Sequence, residues 1–277
     1  MRGGQRGVAL ISVLLVMSLA LLLVSGLLRS QRLLLQSSGQ QMHQVSLRQL
    51  GVAGETRALM QLTQAVQSRP KTVDLTQEWA HGLVLEDGDV QVTIEDLSGR
   101  LNLNALLAPG KVDAVALARW QRLLGVLGLQ DLRLPPVGAV RELSQLRLLP
   151  GVDQRTLDQL EPWVAFLPAQ ATLNINTAPA LVLRTLGDLD TEALMRQRAT
   201  QAWPSVQAFT HDPLLAGTAL NGHGLGVQSR WYRITVQARS GKRTFRSATD
   251  VELNPETRRF NVLARRILPS MANEVSR

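Results

Sequence analysis

The chain has 277 residues, 45% of them hydrophobic and 19% charged, enough for one large folded domain or two modest ones. It carries no cysteine, which excludes a disulfide framework and a thiolate metal site. A net charge of +8 and a pI near 11.1 raise the question of nucleic acid or anionic lipid, yet the basic residues are spread out and no run of five occurs.

A short basic stub ends at Gly7, and 21 residues, 8–28, then pass without a charge. As a helix they would span about 32 Å, enough for a bilayer core of about 30 Å. A cleavable secretory signal has a shorter apolar region, roughly 7–15 residues, and no small-x-small site closes this one. Arg2 and Arg6 before the run, against Arg29 and Arg32 after it, give little orientation bias. The helical pattern continues to Arg69, with Pro70 to stop it. Val45, Val52, Leu59 and Val66 recur every seven residues, flanked by Met42 and Leu62, which predicts one amphipathic face. Gly39, Gly51 and Gly54 weaken that helix locally, by up to about 1 kcal/mol each relative to alanine.

Beyond Pro70 an Asp-Gly turn at 87–88 leads into alternation. Val90, Val92 and Ile94 lie on one side, Gln91, Thr93 and Glu95 on the other, the period of a half-buried strand. Residues 231–253 read as a hairpin with its turn at Ser240-Gly241. Tyr232, Ile234, Val236 and Ala238 form one face, and Phe245, Ser247, Thr249, Val251 and Leu253 the matching one. Arg233, Arg239, Arg246 and Asp250 point outward. From Ala105 to Leu215 the pattern is helical, leucine-rich and broken by prolines, with helices at 113–129 and on either side of Pro150-Gly151. A sheet cut by a helical block suggests an insertion, with the strands pairing across it. Within the block, residues 173–209 resemble a helix-hairpin-helix unit, with Thr177 as a helix cap and Pro179 in the first turn; residues 148–160 are a looser copy.

DNA binding by such hairpins needs glycines that let backbone N–H groups reach phosphate. Here Asp188 and Asp190 stand in one hairpin and Asp153 in the other, each placed to repel a phosphate. No nucleic-acid partner is therefore expected. A membrane-anchored helix-hairpin-helix DNA-binding protein is the alternative, and a gel-shift assay discriminates the two readings. No enzyme is expected either. His43, His81, His211 and His223 are scattered, NGHGLG (221–226) lacks the strand–turn–helix setting and the lysine of a phosphate loop, and Glu86, Asp87 and Asp89 read as a solvated turn. The NGHGLG stretch reads as a flexible loop before the closing hairpin.

The basic leader ending in Gly7, followed by a long helix, resembles the start of type IV prepilins and pseudopilins. EDLSGRLNLNAL (95–106), LNINTAPALVLRTL (173–186) and YRITVQARSGKRTFRSATDVEL (232–253), taken with that leader, extend the resemblance over nearly the whole chain to the minor pseudopilin K family of type II secretion systems. The resemblance implies an α+β, type IV pilin-like fold, a long N-terminal helix packed on an antiparallel sheet, with a large all-α domain inserted between strands. It assigns 1–7 as prepilin leader, 8–28 as the transmembrane part of the helix and 29–69 as its amphipathic part. Residues 70–104 and 216–277 form the pilin-like β domain, and 105–215 the helical insert. It implies prepilin peptidase cleavage between Gly7 and Val8 and N-methylation of Val8. Most pilins carry glutamate at the fifth mature position, and this chain has Ser12. An unpaired carboxylate in lipid is expensive, whereas a serine hydroxyl can bond back to its own helix, so Ser12 suits a subunit with nothing ahead of it.

The implied function is structural: a subunit at the tip of the pseudopilus that starts its assembly and serves secretion across the outer membrane. The implied partners are minor pseudopilins of the I and J type, the prepilin peptidase and the inner-membrane secretion machinery, with the outer-membrane secretin and secreted cargo as further contacts. The implied location is the inner membrane, single-pass, with the C-terminal domain in the periplasm. Some members bind calcium; the candidate oxygen donors here are Asp212, Asn221 and Asp250, whose spacing matches no EF-hand loop. Asn102 and Asn104 alternate with leucines, as do Asn174 and Asn176. Such amides can satisfy backbone groups at the ends of neighbouring elements and are expected to brace the joins of the insert.

Overall fold

The computed structural model describes residues 5–69, 71–85, 89–107, 112–135, 138–218, 220–241 and 243–269; for residues 5–12, 33–41 and 43 it describes the backbone alone. Pro70, Glu86, Asp87 and the Asp-Gly turn at 87–88 lie outside the described residues. The chain divides into two compact units, Met1–Leu50 and Gly51–Arg277, and helix α1 (Gln5–Ser68) has residues in both.

In the first unit, Val13–Arg32 is long and apolar enough to cross a membrane, and none of it is buried. A helix satisfies its own backbone polar groups, which is what hydrocarbon demands. One of its serine hydroxyls does likewise: Ser18 donates to the carbonyl of Leu15 at 2.9 Å.

In the second unit the chain forms β1 (Leu83–Leu85) and β2 (Val90–Asp96), then leaves the sheet. It passes through β3 (Leu101–Asn102), α2 (Asn104–Leu107), α3 (Ala114–Leu127), a 3-10 turn at Leu143–Leu148, α4 (Gln154–Leu160) and β4 (Val164–Ala165). Next come β5 (Leu173–Asn174), α5 (Ala180–Arg184), α6 (Thr191–Thr200), α7 (Val206–Thr210) and β6 (Leu225–Gly226). It re-enters the sheet as β7 (Trp231–Ser240), β8 (Arg243–Leu253) and β9 (Phe260–Leu268). The sheet is antiparallel, in the order β1-β2-β7-β8-β9. So β2 and β7 pair across everything between them, and the ladder ends on Asp96 opposite Tyr232. Two small parallel pairs, β3 with β4 and β5 with β6, sit within the intervening segment.

The alternation read from sequence sets the buried face. Val90, Val92, Ile94, Tyr232, Ile234, Val236, Ala238 and Val251 are all buried. The segment between β2 and β7 has two cores of its own. Leu103, Leu107, Trp120, Leu123, Leu146 and Leu160 centre one; Ile175, Val182, Leu183, Leu194, Trp203 and Phe209 centre the other.

Within the second unit the heptad line of α1 is not its most buried face: Val52 is 64% exposed, and Leu59 and Val66 are half-buried. The buried positions from residue 51 on are Gly51, Gly54, Glu55, Ala58 and Leu62. Close approach decides this. A Cβ added at Gly54 would lie 2.8 Å from Val236 Cγ1, and one at Gly51 would lie 2.6 Å from Phe245 Cε1. The glycines that weaken the helix in isolation let it reach the sheet. Glu55 completes the contact: Arg265 on β9 grips its carboxylate with two bonds, at 2.9 and 2.5 Å, and the Thr249 hydroxyl on β8 adds a third at 2.8 Å. Those bonds from Arg265 hold the Glu55 carboxyl below its ordinary value, against the burial that would raise it. At the end of the same helix Arg258 donates to the carbonyl of Val66 at 2.8 Å, from a left-handed backbone conformation (φ 53°). A guanidinium at a helix C-terminus is favoured by the helix dipole.

Gly54→Leu should therefore destabilise the protein by about 2 kcal/mol or more through overpacking, whereas Val52→Ser should change stability by less than about 0.5 kcal/mol. Urea unfolding of the full chain in detergent, followed by tryptophan fluorescence, checks both.

Candidate functional site

The chain leaves the sheet after Asp96 and returns at Trp231, and the residues around that crossing form a buried polar node. Asp96 stands in phase with Val90, Val92 and Ile94, so the pleat turns its carboxylate inward; it is 4% exposed. One of its oxygens accepts from the Ser98 amide at 2.8 Å. The other accepts from Asn174 Nδ2 at 2.8 Å and from the Thr177 hydroxyl at 2.7 Å. Asn174 Nδ2 also donates to the carbonyl of Val73, at 3.0 Å. The Val73 amide donates to Val227 O at 2.8 Å, and the Ser229 hydroxyl donates to Ser98 Oγ at 2.9 Å. Five stretches of chain thus meet: the loop after α1, the end of β2, the start of β5, the turn before α5 and the approach to β7.

Burial pushes the Asp96 carboxyl up to about 6, against the opposing pull of its bonds from Ser229, Thr177, Asn174 and Ser98. No cation is among the groups that shift it. The Tyr232 phenol beside it is raised well above its ordinary value, by burial and then by the Asp96 charge.

The two Asn-x-Asn segments share one geometry. In each, the first asparagine's Oδ1 accepts the amide of the second: Asn104 to Asn102 at 3.2 Å, Asn176 to Asn174 at 3.0 Å. The second asparagine then pairs with a remote backbone as a peptide group would. Asn104 donates to Val140 O at 2.8 Å and accepts from Val140 N at 2.9 Å; Asn176 does the same with Trp203 at 2.9 and 3.0 Å. Asn102 further binds Pro168 O and the Leu167 amide, at 2.8 and 3.1 Å. Each segment opens one of the two helical cores, so each core begins on the same clasp.

Thr177 does not cap a helix. Its hydroxyl is committed to Asp96, and α5 begins after Pro179, which makes no side-chain cap bond. Nor is the NGHGLG stretch a free loop. Leu225–Gly226 is strand β6, the His223 ring lies 2.7 Å from Asp113 Oδ2, and Arg119 donates to His223 O at 2.7 Å. Sequence reasoning also missed Arg198, which is 4% exposed. It donates to the carbonyls of Ile175 and Ala178 at 3.1 and 2.6 Å, and burial lowers its pKa to about 10. The in-phase acid at position 96 was a readable signal; nothing in the pattern marked Arg198.

The hairpins carry their own anions. Asp153 caps α4 by accepting from the amide and the hydroxyl of Thr156, both at 2.7 Å. Asp190 caps α6 through the Ala193 amide at 2.9 Å. These carboxylates occupy helix N-terminal amides that a phosphate would need.

The three candidate calcium donors have separate partners and do not fit a calcium site. Asp212 accepts from Trp203 Nε1 and Gln197 Nε2 with one oxygen, at 2.8 and 2.5 Å, and from the Leu214 amide with the other, at 3.0 Å. Asn221 Oδ1 accepts the His223 amide at 2.6 Å. Asp250 is held by Arg233 and Arg266, at 2.7, 3.0 and 2.8 Å, so a cation there would face two guanidinium charges. Among the described residues no three His, Cys, Asp or Glu side chains converge. Gly7, Val8 and Ser12 belong to α1, and their side chains lie outside the described residues.

The Asp96 shift has a definite sign. Between about pH 4 and pH 6 the folded chain holds a proton that the unfolded chain has released. Its contribution to stability therefore falls as pH rises through that window and then levels, by about 3 kcal/mol in all. Asp96→Ala should remove this slope, so its destabilisation at pH 4.5 should exceed that at pH 7.5 by about 2 kcal/mol. Urea midpoints of parent and variant at the two pH values measure it, and an equal loss at both would contradict it.

Comparison with known proteins gives a consistent picture. The family described as Type II secretion system (T2SS), protein K matches residues 173–228, which include the second Asn-x-Asn clasp and β6. Type II secretion system protein K of Pseudomonas aeruginosa is 29% identical over 88% of this chain and 87% of its own length. The protein of the same name from Klebsiella pneumoniae is 26% identical over 95% of this chain and 96% of its own. A chain in the crystal structure of the GspK-GspI-GspJ complex from the enterotoxigenic Escherichia coli Type 2 Secretion System superposes with a TM-score of 0.70. That match has 22% identity and covers 85% of this chain and all of that one, a likeness of fold.

Proposed function

We propose a structural role for this chain, which belongs to the type II secretion system protein K family: a minor pseudopilin at the tip of the pseudopilus, needed to start its assembly and so for secretion across the outer membrane. The observation that carries the reading is the likeness to protein K relatives over about nine-tenths of the chain. It is supported by a helix apolar enough to span a membrane, continuous with one that lies on an antiparallel sheet.

In this reading residues 1–7 are a leader removed by the prepilin peptidase between Gly7 and Val8, and Val8 becomes the methylated first residue. Residues 8–28 anchor the protein in the inner membrane, and the rest lies in the periplasm. The long segment between β2 and β7 forms a bulky body that would be hard to accommodate within a filament wall, and a tip has no subunit ahead to collide with it. Ser12 fits the same position, because a carboxylate near the bilayer centre costs roughly 2.5–3.5 kcal/mol unless paired. The partners are subunits of the I and J type, as in the complex of the fold neighbour, together with the inner-membrane machinery, the secretin and cargo.

Protein extracted from membranes should have the mass of a chain starting at N-methylated Val8 and should co-purify with the I- and J-type pseudopilins of its own system. An intact leader, or a mature protein that binds neither partner, would contradict the reading.

A further inference from the structure

Where α1 ends, the loop that follows it, the approach to β5 and the β8–β9 turn enclose a cleft of about 370 Å³. Val66, Val73, Trp231, Leu253 and Pro255 give it an apolar lining. That volume suits a small ligand or the last residue or two of a peptide rather than a folded domain.

The charged groups that line the cleft are all cations. Arg69 comes from the end of α1, Arg230 from the start of β7 and Arg258 from the β8–β9 turn, and among the described residues no acid lines it. Two of the three have acids outside the cleft: Asp74 lies 3.9 Å from Arg69, and Glu252 lies 2.9 Å from Arg230. Arg258 has no carboxylate partner among the described residues; it donates to the carbonyl of Val66 at 2.8 Å. One positive charge is therefore left over. The chain on either side does not cancel it, because Lys71 and Arg259 outnumber Glu256. The cations can also be reached from solvent. The side chains of Arg69 and Arg230 are 57% and 43% exposed, and Arg258 is exposed.

The same lining limits what can sit there. The C-terminus of a helix carries partial negative charge, and Val66, in the last turn of α1, is part of the wall. That charge opposes a multiply charged anion such as phosphate. A single carboxylate fits the one excess charge, and its two oxygens match the parallel donors of a guanidinium. The Arg230 guanidinium stands 5.2 Å from the centre of the Trp231 ring, so a carboxylate bound there has an apolar surface beside it. Gln170 and Thr172 add an amide and a hydroxyl to the wall. A peptide group can bond to these, and an aliphatic chain cannot.

We propose that this cleft binds the free C-terminus of a partner polypeptide that ends on an apolar residue, with the terminal carboxylate against Arg258 and Arg69 and the last side chain on the apolar lining. The site stands independently of any role at a pseudopilus tip.

The full chain in detergent, titrated with N-acetyl-leucine, should show a saturable shift of the Trp231 indole N–H resonance, which a Trp231→Phe variant assigns. N-acetyl-leucinamide, which lacks the charge, should bind at least about tenfold more weakly. Arg258→Gln should weaken N-acetyl-leucine by about tenfold. Arg69→Gln, at an exposed position, should weaken it as well and carries the test if Arg258→Gln fails to fold. Equal binding of the acid and the amide, or unchanged affinity in folded Arg258→Gln and in Arg69→Gln, would overturn the proposal. So would hexanoate binding as tightly as N-acetyl-leucine, which would make the site one for aliphatic acids. Inorganic phosphate displacing N-acetyl-leucine at matched concentration would overturn it too.

Discussion

A carboxylate with no cation beside it, closed inside the protein, is the constraint on which the second unit depends. Asp96 ends the strand from which the chain departs, and Tyr232, its partner in register, follows the point of return. The donors that satisfy Asp96 come from the departing chain at Ser98 and from the far half of the helical segment at Asn174 and Thr177. Above about pH 6, where it is ionised, Asp96 accepts from every member of that set. An amide in its place would turn an NH2 toward another donor, since all three neighbours donate. The node therefore joins the helical segment to the sheet through one group that cannot be satisfied by either part alone, and a partly satisfied network would be worse than an apolar one.

Farther along the same face of the sheet, the contact with α1 is held by different physics. There the helix is brought close by missing side chains at Gly51 and Gly54. It is then fixed by one ion pair, Glu55 with Arg265, and by Arg258 at the helix end. Contact at this range gains from dispersion and apolar burial, and a partly exposed arginine adds orientation more than energy. The two asparagine clasps repeat a third device, a side-chain amide standing in for a strand neighbour, once in each helical core.

How far the sequence revealed this depends on what a pattern can register. Alternation found β2 and the β7–β8 hairpin because polarity and facing coincide there; Val90, Val92 and Ile94 on one side and Ile234 and Val236 on the other needed nothing more. The α1 face was misread for the same reason. The pattern ranks valine above glycine, whereas the surface that meets a sheet is chosen by distance, so Gly54 is buried and Val52 is exposed. Thr177 looked like a helix cap because its local context fits one; its actual partner, Asp96, is 81 residues away. The glycines of NGHGLG suggested mobility, yet their segment supplies a strand, and His223 is tied to Asp113 and Arg119 on α3 and its cap. Arg198 finds only carbonyls and a sulfur for partners, and no periodicity encodes that.

If Asp96 joins the helical segment to the sheet, the node stays closed for as long as the sheet does. Native-state hydrogen exchange of the Ser98 and Asn176 amides, compared with the β7–β8 ladder amides, tests this most directly. The account predicts exchange as slow as in the ladder, because those amides open only when the whole second unit unfolds. Exchange faster by orders of magnitude, with the ladder still protected, would mean that the segment opens by itself and that Asp96 does not join the two.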